Sequence, residues 1–311
     1  MLKAFYHDSY PIPLPAGHRF PGGKYSQLRQ RLMDEHELHG IELLQADAAT
    51  DNELLLVHTY GYVSRFRKGE MTDKEMRRIG FPWSPELVVR SVRSVGSTIA
   101  ASRAALTYGI AVNLGGGTHH AYADHGEGFC VFNDVAIAAR QMQRDGLAQR
   151  ILIVDCDVHQ GNGTAAIFKD DSSVFTFSIH GLKNFPYHKE CSNLDIALPD
   201  GVGDTEYLLA LNSSLSYALK HANADFIVYL AGADPYTGDT LGRLSLSKAG
   251  LEARDRMVLE VCRYSNLPVV ITMAGGYGKD INDTVDIHIN TIRVARDSIF
   301  PNGRNFPNDT A

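Results

Sequence analysis

Asp155, Asp157 and His159 close an apolar run, Ile151-Leu-Ile-Val154, and a Gly161-Asn-Gly163 turn follows them. A β-branched run of this length ended by glycines reads as a strand buried in a parallel sheet. Alternate residues of a strand share a face, so Asp157 and His159 point the same way where the strand ends. A carboxylate and an imidazole converging there offer two ligands for a divalent metal. Asp234, in Ala231-Gly-Ala-Asp-Pro235, offers a third. An Asp-Pro step is also a common turn, so the conjunction carries the reading, not Asp234 alone. One imidazole and two carboxylates leave room for water and a substrate oxygen, as a catalytic zinc site does.

His119 and His120 follow a glycine triplet, Gly115-Gly-Gly117, that turns tightly and brings backbone close to a ligand. Adjacent histidines there can serve as a general base and as its acid or electrostatic partner. Each ring needs an orienter on its second nitrogen, and Asp155 and Asn162 stand at the neighbouring strand end. A carboxylate on one ring and an amide on the other separate their pKa values. The histidine on the carboxylate favours the charged form, and the one on the amide stays a neutral base. Tyr277 lies in Ala274-Gly-Gly-Tyr-Gly278, from which a phenol can donate to an oxyanion. Phe129, after Gly128, and Phe185, before Pro186, can wall a narrow aromatic channel.

These residues need a scaffold that brings separate strand ends together. Apolar runs predict strands over 109–114, 150–156, 173–179, 225–230 and 268–274. Helical patterns fall at 84–108, 133–145, 205–221, 247–265 and 282–298. This alternation predicts a parallel sheet with helices on both faces. In such open sheets ligands bind outside the carboxyl ends of the strands, where every group above is found. The first eighty residues are less regular: an edge strand near 3–6, a helix around 24–36 and surface loops. The segment 301–311, rich in Asn, Pro and Gly, is expected to be poorly ordered.

The 44% hydrophobic and 21% charged residues are those of an ordinary globular protein. No repeat or linker divides the 311 residues. Four cysteines lack Cys-x-x-Cys spacing and read as free thiols, with Cys156 facing the core. A net charge of −6 argues against direct nucleic-acid binding. The apolar runs are of strand length, too short for a membrane span, and the N-terminus lacks a signal-peptide pattern. A cytoplasmic location is the expectation.

Five motifs occur in the order found in zinc-dependent histone deacetylases, and the chain resembles that family over about residues 15–295. They are Gly116-Gly-Thr-His-His-Ala121, Gly128-Phe-Cys-Val-Phe-Asn-Asp134, Asp155-Cys-Asp-Val-His-Gln-Gly-Asn-Gly163, Ala231-Gly-Ala-Asp234 and Gly275-Gly-Tyr277. Asn162, where class I members carry Asp, and Gly238-Asp-Thr-Leu-Gly-Arg-Leu-Ser-Leu-Ser247 are most similar to the class IV branch.

The resemblance implies the arginase/deacetylase fold, an open, mainly parallel α/β sheet of about eight strands with helices on both faces. It implies one catalytic domain over residues 1–311. It makes Asp157, His159 and Asp234 zinc ligands. His119 and His120, with Asp155 and Asn162, become the acid–base machinery, His120 being the base, and Tyr277 the oxyanion donor. Gly128, Phe129 and Phe185 become the acyl-lysine channel. It also implies a potassium site built from Asp157 and His159, the backbone of Asp155 and Ile179, and the Ser178 hydroxyl. The implied activity is zinc-dependent removal of acetyl or longer fatty acyl groups from lysine side chains of proteins or peptides. Three other readings fit the same motifs less well: an acetylpolyamine amidohydrolase, an arginase-like dimanganese hydrolase and an inactive acyl-lysine binding module.

Overall fold

The structure, a computed structural model, describes residues 1–34 and 39–299. The segment 301–311 lies outside the described residues, as does the end of the helix expected over 24–36.

Eight strands of the described residues form one sheet: β1 (Leu2–Tyr6), β2 (Ile41–Gln45), β3 (Ile110–Asn113), β4 (Ile151–Asp155), β5 (Val174–Gly181), β6 (Leu194–Leu198), β7 (Phe226–Leu230) and β8 (Val269–Thr272). Their order is β2-β1-β3-β8-β7-β4-β5-β6. Every pairing is parallel, so all carboxyl ends emerge on one side. The chain leaves β3 and crosses over β8 and β7 to reach β4, placing the crevice of an open sheet at its middle.

Two expectations for the strands need correction. The first strand is not an edge: β1 pairs with β3 on one side and with β2 on the other. β2 and β6 escape a search for apolar runs because they are partly exposed and mix polar with apolar residues, Ile-Glu-Leu-Leu-Gln and Leu-Asp-Ile-Ala-Leu.

Among the described residues ten helices accompany the sheet: α1 (Lys24–Asp34), α2 (Asp51–Leu54), α3 (Tyr60–Lys68), α4 (Asp73–Ile79), α5 (Pro85–Tyr108), α6 (Asp134–Arg144), α7 (Asn162–Phe168), α8 (Asp204–Ala222), α9 (Lys248–Tyr264) and α10 (Ile281–Asp297). Strand alternation sorts the core. Leu152, Val154 and Cys156 face a layer built from α1, α8, α9 and α10, with Tyr207, Val258 and Ile289 among its residues. Ile151 and Ile153 face α5, α6 and α7, through Ala101, Val135 and Phe168. Asp155 and Asp157 continue this second face beyond the last apolar residue, so the chemistry begins where the core ends.

Residues 51–79, expected as loops, instead form α2, α3 and α4 around an aromatic cluster that includes Tyr62, Phe66 and Phe81. Thr50, Thr59 and Thr72 cap the three helices, and Gly69 and Gly80 end α3 and α4 in the left-handed region. Among the described residues no helix is long and apolar enough to cross a membrane.

Candidate active site

The loop after β3 carries the two histidines, and Asp134 at the start of α6 fixes it. One carboxylate oxygen of Asp134 accepts from the Thr118 amide at 2.7 Å and the other from the Gly117 amide at 3.1 Å. Gly116 and Gly117 have φ of +78° and +69°, and a Cβ on Gly117 would lie 2.6 Å from that of Ala274. Only glycine lets the β3 and β8 loops approach this closely. Asn133, the α6 cap, donates to the Ala121 carbonyl at 3.1 Å and so anchors the far end of the same loop.

Both imidazoles are buried, and they have different partners. His119 donates from Nδ1 to Asp155 Oδ2 at 2.6 Å. Burial alone would lower its pKa, but the charges of Asp155 and Asp157 outweigh it and hold His119 up at about 9. His120 Nδ1 lies 2.6 Å from Asn162 Oδ1. The Asn162 amide is oriented by its other end, which donates to the Tyr122 hydroxyl at 3.1 Å, and Tyr122 donates in turn to Glu190 at 3.2 Å. Asn162 therefore presents its oxygen to His120, which carries its proton on Nδ1 and leaves Nε2 as an acceptor. Burial, followed by the positive charge near His119, keeps His120 well below the ordinary histidine range. Two neighbouring rings are thus driven to opposite protonation states.

Asp157 and His159, just beyond the end of β4, meet Asp234 from the loop after β7. Their ligand atoms lie within 4.8 Å of one another, and all three residues are buried. His159 Nδ1 is 2.9 Å from Asp157 Oδ1 and 3.1 Å from Asp234 Oδ2. The Val158 amide holds Asp234 Oδ1 at 2.9 Å, and the Gly275 amide holds Asp157 Oδ2 at 2.7 Å. A Cβ on Gly275 would fall 1.9 Å from Asp234 Oδ2, so glycine is required beside the carboxylates.

The charge state of this trio fits a divalent cation. Burial, then the adjacent Asp157, pushes the Asp234 carboxyl up to about 7. Burial opposes charge on His159, yet the two carboxylates hold its imidazole up at about 10. Protons are the positive charge the bare trio can gather, and a metal would replace them. One nitrogen and two oxygen donors suit zinc, with positions left open for water and substrate.

Tyr277 completes the site from the loop after β8. Its ring is 6.3 Å from that of His159 and 5.9 Å from that of Phe129. Burial, then Asp157 and Asp234, holds the phenol well above its usual pKa, so it remains a donor. Its backbone is clamped by the segment after β7: the Tyr277 amide donates to Asp239 at 2.6 Å, and Thr240 donates to its carbonyl at 2.8 Å. Gly128 and Phe129 both have positive φ, +57° and +65°. A Cβ on Gly128 would lie 2.7 Å from His120. Phe185 sets its edge against His120 at 4.9 Å, so Phe129 and Phe185 wall a mouth that opens over His120, His159 and Tyr277. Asp155 and Ser178 are register partners across β4 and β5, with Ile179 next in line, and Ser178 Oγ is 2.9 Å from His180 Nδ1.

Residues 18–292 match the model of the histone deacetylase domain. The chain belongs to the histone deacetylase family. An uncharacterised protein of Picosynechococcus sp. is 45% identical over 292 residues, spanning 94% of this chain and 97% of its own. Histone deacetylase 2 of Arabidopsis thaliana is 28% identical, and the acetoin utilization protein AcuC of Staphylococcus aureus 27%; each comparison covers 89% of this chain and 75% of the relative. The solved HDA15 HD domain superposes with a TM-score of 0.80 over 96% of this chain and 89% of its own, at 23% identity, a likeness of fold.

Several residues around this deacetylase site had no sequence signal. Tyr122 and Glu190 orient Asn162 from irregular loops, where no periodicity marks them. Lys24 reaches from α1 to the carbonyls of Ala274 and Gly276 at 3.1 and 3.4 Å, just before Tyr277. Arg254, fully buried on α9, donates to the carbonyls of Gly232 at 2.6 Å and Cys156 at 3.2 Å, joining the two loops that carry Asp157 and Asp234. An arginine inside a helical pattern reads as a solvated face, and only the fold turns this one inward.

Proposed function

We propose that this member of the deacetylase family is a zinc-dependent hydrolase that removes short acyl groups from lysine side chains. The observation that carries the reading is the pair His119–Asp155 and His120–Asn162 poised in opposite protonation states beside the Asp157, His159 and Asp234 trio. Asp157, His159 and Asp234 would hold the zinc, which would supply Lewis acidity there. The remaining chemistry belongs to the chain. His120 Nε2 accepts the proton of the attacking water, because its Nδ1 proton is committed to Asn162. His119, charged through Asp155, stabilises negative charge and supplies a proton toward the leaving amine. The Tyr277 phenol donates to the developing oxyanion. The aromatic faces of Phe129 and Phe185 suit the neutral stem of an acylated lysine.

A cavity of about 70 Å³ is lined by Asp157, His159 and Tyr277 together with Phe20, Tyr25 and Leu87. An apolar cavity of about 150 Å³ is what benzene fills, so this one suits acetyl and not a long fatty chain. A second, monovalent cation, potassium, is proposed beside β4 and β5. Its ligands would be Ser178, the backbone of Asp155 and Ile179, and the shared Asp157 and His159. Asn162 and the 238–247 segment favour the class IV branch. The trio is the single cluster of three or more potential metal ligands among the described residues, which favours one metal over the paired manganese of arginases.

The test is a panel of lysine peptides from acetyl to myristoyl, with acetylspermidine, assayed with zinc and after chelation. The expected result is zinc-dependent turnover highest for acetyl-lysine. Preference for myristoyl would reject the size argument, and turnover of acetylspermidine alone would reject a protein substrate.

A further inference from the structure

The mouth of the site carries a charge that the composition conceals. The chain has a net charge of −6, yet Arg19, Arg77, Arg78, Lys183 and Arg243 line the mouth, with Glu127 the acid among its lining residues. These cations come from four separate pieces of chain: the segment before α1, the end of α4, the loop after β5 and the segment after β7. They therefore do not form a stripe on one helix.

Their partners leave the balance positive. Arg78 is paired with Glu127 at 2.6 Å. Asp200 lies 3.2 Å from Arg243 and 3.9 Å from Lys183. Arg19 and Arg77 are exposed and have no ion pair among the described residues. Glu75, on the same helix as Arg77, is already committed to Arg65 at 2.7 Å and to the Thr72 cap. Even with Asp200 counted, cations outnumber carboxylates.

An acylated lysine is itself neutral, so this charge acts on what flanks it. We propose that the rim makes the enzyme selective for acyl-lysines in acidic protein segments, and disfavours polyamines and lysine-rich tails. The proposal rests on the reading of the site as an acyl-lysine hydrolase. Complementary charge around a cleft raises association about tenfold or more, and salt screens it.

The test uses the zinc-loaded full chain and three acetyl-lysine peptides of equal length, flanked by Glu, by Gln or by Lys. kcat/KM and equilibrium binding are measured separately, at low and at high ionic strength. The expected order is Glu, then Gln, then Lys, spanning about tenfold at low salt and collapsing at high salt. The double variant Arg19→Glu/Arg77→Glu should level or invert that order. A flat order, or Lys first, overturns the proposal. So does a single-stranded oligonucleotide that displaces the Glu-flanked peptide, which would assign the rim to nucleic acid. Turnover without flank preference removes the rim proposal and keeps the hydrolase. Charge-ordered binding without turnover of any peptide does the reverse.

Discussion

At Asn162 a single amide separates the fates of two imidazoles whose ring centroids are only 4.1 Å apart. Its oxygen faces His120 because its nitrogen is spent on Tyr122. Replacing Asn162 by Asp would put a carboxylate where the amide oxygen stands and favour imidazolium on His120. The proposed base is then protonated up to higher pH, so the acid limb of the kcat/KM profile should move up by about 1–3 pH units; an unmoved limb would assign the base elsewhere. Tyr277→Phe deletes the proposed oxyanion donor and should lower kcat by about 10²–10³ with little change in zinc content. An unchanged rate would remove Tyr277 from the chemistry. These residues were legible in the chain because polar groups at the ends of apolar runs break the pattern that folding alone would favour. Tyr122 and Glu190 act only through contacts between distant loops, and nothing local announces them.

At the scale of elements, the central strands could be read from burial alone, since β3, β4, β7 and β8 are buried along their whole length. The edges could not, because half-exposed strands dilute the apolar signal. The short helices were announced in another way: Thr50 with Glu53 and Thr72 with Glu75 are capping boxes, and Gly69 and Gly80 are left-handed stops. Cap chemistry finds helices too short for periodicity to mark. α9 carries a prediction of its own. Arg254 bonds Asp255 at 2.9 Å while holding the backbone beside Asp157 and Asp234. Arg254→Met leaves Asp255 short of a partner and should cost about 3–5 kcal/mol in chemical denaturation, as expected for a broken buried ion pair. Zinc affinity should weaken with it, and a variant of native stability and affinity would show the clamp to be idle.

Across the whole molecule, the buried Asp157, His159 and Asp234 trio couples folding to pH. Without metal, Asp234 titrates at about 7 in the folded chain and near 3.9 unfolded. That stability is complete below about pH 4 and lost as pH rises through about 7. His159, held at about 10 against about 6.5 unfolded, adds a contribution of the same sign, lost at higher pH. Asp157, held well below the ordinary range, acts only in more acidic solution. Chelated protein should therefore lose stability progressively between about pH 4 and about pH 10, while zinc-loaded protein should not. Parallel denaturation midpoints for the two forms would deny that the trio holds the ion.

β4 and the residues just after it stand between the two helical layers, with Cys156 and Val158 turned to one of them and Asp155 and Asp157 continuing the other face. Its gene segment thus has a parity. Deleting one codon within it would exchange odd and even positions, driving carboxylates into hydrocarbon and a thiol toward the substrate. Point changes there can be graded in effect, but an odd-length change would erase fold and chemistry together. A two-residue change would keep the faces and move only the reach.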